Sequence, residues 1–419
     1  MAGCEGLMGL SRPSRITIAI PNVATKKVRM ETSKGDTVQI SVLPPPIDLR
    51  VTYRRLWWAL PMLTLSALVF VLVIGSSLIQ ISYWETAPGE AASVADRMSI
   101  TAAKRYPAEN KLMFVTAYGS QLTGLESLVG WIDPDVDIYS RTERFGRTSP
   151  TGQRRAGFQA MTSAKQIAEY VAFKHLGYDV SIKDGVVLVN DLVCEVNPAP
   201  DSACNVLEIG DLINAVDGQA TATLPKLAEV LGDHAVGDVL SVEVTPYGEA
   251  NKETRKIRMI ESPSEPGRAI LGFVPADTRI VQLPFEVEID TDSIGGPSAG
   301  LAFTLSLIDE LSKGELLGKT TVAVTGTIED DGTVGAIGAL QQKAVAVERS
   351  GAEVFIVPSE QSASEMTEAR AAVGSGLKIV QVANLDEALK VLLDLGGEPI
   401  NKGIATGIAT TQRSNTLSI

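Results

Sequence analysis

The sequence predicts an α/β multidomain chain with an N-terminal transmembrane helix, a β-rich module in its middle and an α+β domain at its end. Three observations predict it. A long apolar run without charge lies near the N-terminus, short β-type runs separated by turns fill 178–260, and strand and helix patterns alternate over 262–396. At 419 residues the chain is long for one folding unit, so two or three separate cores are expected.

Between Arg55 and Glu85 stand 29 residues without a charge, and 56–81 is dominated by Leu, Val, Ile and Ala. At about 1.5 Å of rise per residue such a helix crosses a hydrocarbon core of about 30 Å. Trp57 and Trp58 flank one end, and Tyr83 and Trp84 the other, as residues of the headgroup level do. A cleaved signal peptide fits less well, because its charged region would be 55 residues long. Residues 1–55 hold nine Lys or Arg against four acids, with Arg50, Arg54 and Arg55 at the edge of the span. That balance places the N-terminus in the cytoplasm and everything after Glu85 outside the membrane, so the predicted location is the cell membrane, single-pass. Residues 1–55, with Pro13, Pro21 and the prolines at 44–46, read as a disordered cytoplasmic tail, and 397–419 as a flexible C-terminal tail.

The head carries about +5, so the rest of the chain carries about −18 of the net −13. An acidic body of this kind excludes the clustered cations of a nucleic-acid groove. The two histidines, His175 and His234, stand singly and match no metal-ligand spacing, so no metal or other cofactor is predicted. Cys194 and Cys204 lie ten residues apart in a turn-rich segment; on the outer side of a membrane they are either a disulfide or two thiols.

After the span, a strand is expected at 112–117, and 153–177 carries helical signals that end on a glycine; together they define a membrane-proximal α/β region, 85–177. In the module that follows, 210–218 reads GDLINAVDG, with a turn at Gly210–Asp211, a strand, and a tight turn at Asp217–Gly218. A helix near 224–231 and a strand near 240–244 come next. This order resembles the heart of a PDZ domain as found in bacterial proteases. The resemblance implies a PDZ-like domain at 178–260 that takes an extended peptide as an added strand, for substrate binding or regulation. The ligand-carboxylate loop is expected at or just before Gly185, and the insertion at 197–205 is expected to reshape the edge of the groove.

In the last domain, strands are expected near 284–289, 320–325, 354–358 and 378–382, and helices near 298–311, 340–350, 360–372 and 385–395. Ser298 follows a Gly-Gly-Pro turn and opens an apolar helix, where free amides and the helix dipole favour developing negative charge. Lys343 sits in ALQQKAVAV, among small apolar residues that would desolvate its amine, lower its pKa and let it accept the serine proton. Each feature alone has a plainer reading: a serine after proline suits a helix cap, and a lysine on an amphipathic helix suits a solvated face. Neither histidine is placed near Ser298 by any motif, which disfavours a Ser-His-Asp triad.

Together, GGPSAGLAF at 295–303 and TGTIEDDGTVGAIGALQQKAVAV at 325–347 resemble the Lon proteolytic domain in order and spacing. The residues carrying the likeness in the second piece are Thr325, Gly326, Gly335, Ile337, Gly338, Leu340 and Lys343. The resemblance implies a serine endopeptidase with a Ser298–Lys343 dyad over 262–396, Thr325 in support by a hydrogen bond to the lysine, and a hexameric assembly. Three positions depart from the family pattern: Gly295 replaces an acid, Thr327 a glutamate and Ala339 a glycine. The order of anchor, PDZ-like unit and protease is similar to that of bacterial membrane-bound, PDZ-containing Lon-like proteases.

A phosphate loop would read G-x-x-x-x-G-K-[ST] after a strand; GELLGKT at 314–320 misses by one position and follows a helix. Proteolysis is therefore expected to be independent of ATP and directed at exported or membrane-proximal polypeptides. A membrane-anchored PDZ scaffold with a vestigial protease domain is the competing reading.

Overall fold

The computed structural model describes residues 27–31, 37–41, 50–101, 103–110, 112–146 and 148–400. Most of the two expected tails lies outside these residues. The chain divides into two compact units between Leu72 and Val73. In the first, β1 (Lys27–Glu31) and β2 (Thr37–Ser41) pair antiparallel, with Val28 opposite Ile40 and Met30 opposite Val38. This hairpin falls in the head expected to be disordered; the alternation of apolar and polar positions in its strands has the period of two that a strand uses. Helix α1 (Arg50–Leu78) follows, and 20 of its residues, Ala59–Leu78, are apolar enough to cross a membrane. The helix stops short of the expected residue 81.

The second unit takes in the last residues of α1 and continues with β3 (Gln80–Ser93), which begins two residues after the helix ends. Tyr83 and Trp84 therefore belong to a strand, and Trp84 meets Phe145 edge-on at 4.9 Å instead of standing at the end of a span. The chain continues through β4 (Met98–Ile100), β5 (Met113–Tyr118), β6 (Gln121–Thr123), α2 (Gly124–Gly130), β7 (Asp137–Ser140) and α3 (Arg141–Phe145). Thr123 and Ser140 each close a capping box on the helix they precede, satisfying amides that the first turn leaves open. The long α4 (Pro150–Leu176) starts with Ser149 as cap and proline in its first turn, and stops at Gly177 in the left-handed region.

The module is built from β8 (Ser181–Leu192), a single turn α5 (Ala203–Val206), β9 (Leu212–Val216), β10 (Gln219–Ala220), α6 (Leu224–Leu231), β11 (Val239–Thr245), β12 (Glu253–Arg258), the short pair β13 (Ile260–Glu261) and β14 (Ala269–Ile270), and β15 (Phe273–Gln282). Its sheet runs β12-β11-β9-β8-β15 with β10 on β9. Val187, Ile213, Val242, Val244 and Ile257 bury their side chains in its core together with Leu227 and Val230 of α6. Asp217 and Gly218 both take positive φ, the hairpin geometry that Asp-Gly favours. Cys194 and Cys204 are joined in a disulfide across the 197–205 insertion.

The remaining elements are β16 (Val287–Ile289), α7 (Gly300–Leu311), β17 (Val322–Val324), β18 (Thr327–Ile328), β19 (Val334–Gly335), α8 (Leu340–Arg349), β20 (Val354–Pro358), α9 (Ala363–Ala372), β21 (Lys378–Val382) and α10 (Leu385–Asp394). They do not form a layer by themselves. One seven-stranded sheet runs β21-β20-β17-β5-β3-β6, with β7 on β3, and β4 pairs with β16. The stretches 85–177 and 262–396, expected to be separate, thus share a sheet, and the module is an insertion between them. Its β8 and β15 pair from Ser181↔Gln282 to Leu192↔Phe273, so its sheet extends well past the expected boundary at 260. Strand-like runs announce themselves locally, but their partners lie up to 210 positions away, as Met113 and Ala323 do, beyond the reach of local pattern.

Strand alternation sorts the sheet's two faces. Phe114, Val324 and Ile356 point into a core shared with α4 and α7, where Met161, Val171, Leu301, Phe303 and Leu305 are buried. Their neighbours Val115, Ala323 and Phe355 pack on the other side against Ala344 and Val347 of α8 and Met366 of α9. The 314–320 segment joins α7 to β17, and Glu398 donates its amide to the carbonyl of Glu315 at 2.8 Å, so the first residues of the expected C-terminal tail are docked.

The disulfide closes a loop of ten residues. Replacing both cysteines by serine is expected to lower the unfolding free energy of the module by about 2–3 kcal/mol, read from denaturant curves with and without reductant.

Candidate active site

Ser298 and Lys343, 45 positions apart, are brought together: the Lys343 Nζ donates to Ser298 Oγ at 2.9 Å. The serine stands just before α7. The residue capping that helix is Ala299, which makes no side-chain cap, and the Gly300 and Leu301 amides are taken by the carbonyls of Pro297 and Gly326. Ser298 is therefore not the helix cap that its position after proline also suggested, and its hydroxyl is left to face the amine. Its main chain is gripped from the end of β17: the Thr325 hydroxyl and the Gly326 amide both donate to the Ser298 carbonyl, at 3.1 and 2.8 Å. Thr325 thus bonds the serine's backbone, a different partner from the lysine that the resemblance implied.

Lys343 lies on α8 with 5% of its surface exposed. Burial alone pushes its amine down from 10.5 to about 7, because the charged form loses its water. The solvated-face reading of this lysine is excluded by that burial. Two glutamines hold the helix start. Gln361 accepts from the Ile337 amide at 2.6 Å and donates to the Ile337 carbonyl at 3.1 Å, while Gln342 donates to Asp137 at 2.9 Å. Neither Asp137 nor Gln361 was marked by any sequence signal, since both lie outside the two motif segments.

Ser298 and Lys343 open onto a cleft of about 930 Å³. Its walls come from both parts of the divided domain: Trp84, Tyr118 and Phe158 before the module, and Ile294, Gly295 and Gly338 after it. Asp309, at the far end of α7, is also pushed up, to about 7, mainly by burial; it accepts the Leu316 amide at 3.0 Å and is no part of this cleft. Among the described residues no group of three or more His, Cys, Asp or Glu is placed to hold a metal.

In the inserted module β15 is one of two edge strands, β12 being the other, and α6 is tied beside β15 by the Leu224 amide donating to Asp277 at 2.9 Å. Gly185, expected at a ligand loop, lies within β8, where a Cβ would stand 2.6 Å from the Thr278 carbonyl oxygen. That glycine serves the close approach of β15. The turn that leads into β15 is Leu271–Gly272, with Gly272 at φ +81.

A serine hydroxyl at the start of a helix, within hydrogen-bond reach of a buried amine with pKa near 7, has the geometry of a serine hydrolase that uses lysine as base. Residues 291–395 match the family described as the Lon protease (S16) C-terminal proteolytic domain. This part of the chain is accordingly a Lon-type proteolytic domain, of the serine peptidase class. Lon protease of Chloroflexus aggregans is 30% identical over 177 residues, covering 40% of this chain and 21% of that protein. Lon protease of Trichlorobacter lovleyi is 39% identical over 110 residues, covering 26% of this chain and 13% of that protein. The chain thus spans only about a fifth or less of the length of these relatives. Among solved structures, the PDZ domain of an SdrC-like protein from Listeria monocytogenes matches 22% of this chain and 88% of its own, at 24% identity and a TM-score of 0.18.

One departure from the family pattern has a visible cost. Ala339, in place of a glycine, caps α8 at φ 58 and ψ 42, a left-handed conformation that crowds a Cβ. Ala339→Gly is expected to stabilise the domain by about 1 kcal/mol in thermal or denaturant unfolding.

The amine carries its own pH signature. Between about 7 and 10.5 the unfolded chain holds a proton on Lys343 that the folded chain does not, so this group makes stability rise with pH over that window. Below it, the fold must bury a charge. Lys343→Met is therefore expected to raise the unfolding midpoint most at pH 7 and below, with the gain fading as pH approaches 10.5.

Proposed function

We propose that the chain is a membrane-anchored serine endopeptidase that works without ATP, with Ser298 as nucleophile and Lys343 as general base. The 2.9 Å contact between the buried amine and the hydroxyl carries this reading. The neutral amine takes the Ser298 proton as the hydroxyl attacks the scissile carbonyl, then returns a proton to the leaving amine. The Gly296 amide is engaged by the Gly157 carbonyl at 2.7 Å, which leaves the amides of Ser298 and Ala299, at the positive end of α7, as the donors for the oxyanion. Thr325 acts as a positioning residue by fixing the carbonyl of Ser298.

The apolar stretch of α1 supports an anchor: 20 residues at about 1.5 Å each match a hydrocarbon core of about 30 Å. Cationic residues before it orient the N-terminus to the cytoplasm, and the disulfide supports an oxidising, extracytoplasmic setting for the rest. Substrates in this reading are exported or membrane-proximal polypeptides that arrive unfolded. The PDZ-like module recruits them, or regulates cleavage, by taking an extended segment beside β15. A hexamer is the assembly that the family resemblance implies.

The test uses the full chain in detergent, a reduced and alkylated polypeptide as substrate and no nucleotide. Cleavage is expected for the parent and is expected to vanish for Ser298→Ala and Lys343→Ala. The rate should climb through pH 6 to 8 as the amine loses its proton and level off above, with an apparent pKa near 7. Equal products from all three chains would leave the scaffold reading in place; a need for added ATP would refute independence from nucleotide.

A further inference from the structure

Gly295, where the family resemblance implies an acid, lies directly against helix α4. A Cβ on residue 295 would lie 3.1 Å from the carbonyl carbon of Gly157 and 3.4 Å from its Cα and oxygen, all main-chain atoms that cannot swing aside. The next residue, Gly296, donates its amide to the Gly157 carbonyl at 2.7 Å. That carbonyl belongs to the interior of a helix, where it already serves the amide one turn on. Main chain of helix and main chain of turn are thus in direct contact, two residues before the nucleophile.

The same stretch of α4 also meets the inserted module. A Cβ on Gly152 would lie 2.7 Å from the Ile209 side chain, Arg155 pairs with Glu208, and its guanidinium stands 4.8 Å from the Tyr247 ring. Within one short stretch of helix, Gly152 and Arg155 thus meet the module and Gly157 meets the turn that carries Ser298.

We propose that α4 is a positioning strut for the nucleophile: Gly157 fixes the Gly295–Gly296 turn, and through it the reach of Ser298 to Lys343, with the module seated on the same segment. The proposal rests on the dyad reading. Gly157 lies in the cleft wall but brings no functional group to the dyad, and it acts through the turn. In this arrangement the helix backbone occupies the space that an acidic side chain at 295 would need.

The test reads kcat and KM separately on reduced and alkylated α-lactalbumin, with the full chain, Ser298→Ala, Gly295→Ala and Gly157→Val. A methyl at 295 presses the turn away from the helix, and a branched side chain at 157 presses from the helix side. Because displacements of about 1 Å cost on the order of a hundredfold when reacting groups separate, each variant is expected to lose tenfold or more in kcat with KM within twofold of the parent. In the unmodified chain the Gly296 amide is expected to exchange its hydrogen slowly, as a bonded group does. Parent-like kcat in a folded Gly295→Ala or Gly157→Val, or exchange of the Gly296 amide at the rate of an open turn, overturns the strut while the dyad stands. A parent no more active than Ser298→Ala overturns the dyad, and the strut falls with it.

Discussion

A lysine amine buried at the hydroxyl of Ser298 is the constraint around which the domain is arranged. An amine in water keeps its proton near neutral pH and is useless as a base, whereas the same amine sealed among Ala344, Val347 and the sheet sits near 7. Sealing it requires a sheet on one side and a helix pinned at its start, which is why α8 is fastened by Gln342 to Asp137 and by Gln361 to Ile337 before the chain reaches Lys343. The serine needs the opposite treatment. It must be held from behind, at its carbonyl, so that the hydroxyl stays free; Thr325 and Gly326 do this from the end of β17.

The divided sheet follows from the same requirement. The strands that cover α8 are β3 and β5, which precede the inserted module, while the lysine and serine follow it. The module is therefore not a bead between two others. Both its ends, β8 and β15, leave from the protease core and pair with each other over their length, so the insertion closes on itself and leaves the sheet intact. Arg279 of β15 also pairs with Asp330 in the hairpin between β18 and β19, which places a second tie between module and protease close to the Thr325 strand end.

Local patterns were legible where the physics is local. The strand at Val354–Pro358 and the helix at Leu224–Leu231 occupy the expected residues, because an apolar run bounded by turns, or a proline after a threonine cap, decides conformation within a few positions. Ser298 and Lys343 could be singled out because two motifs constrain each other at a fixed interval. The helix end at Leu78 could not be, since Ile79 to Trp84 continues the uncharged run and only its pairing with β6 and β7 makes it a strand. Gly157, Asp137 and Gln361 were equally hidden: their importance comes from what lies against them, across gaps of 139, 205 and 24 positions.

The short step from α1 to β3 bears on where the cleft can stand. Only Ile79 separates helix from strand, and Trp84 and Glu85, which line the cleft, follow within six residues. A strand advances about 3.3 Å per residue, so no more than about 20 Å of chain joins the end of the apolar helix to the cleft wall. The last turn of the apolar helix and this wall of the cleft are therefore joined by one strand, β3, with no loop between them to let the two move apart.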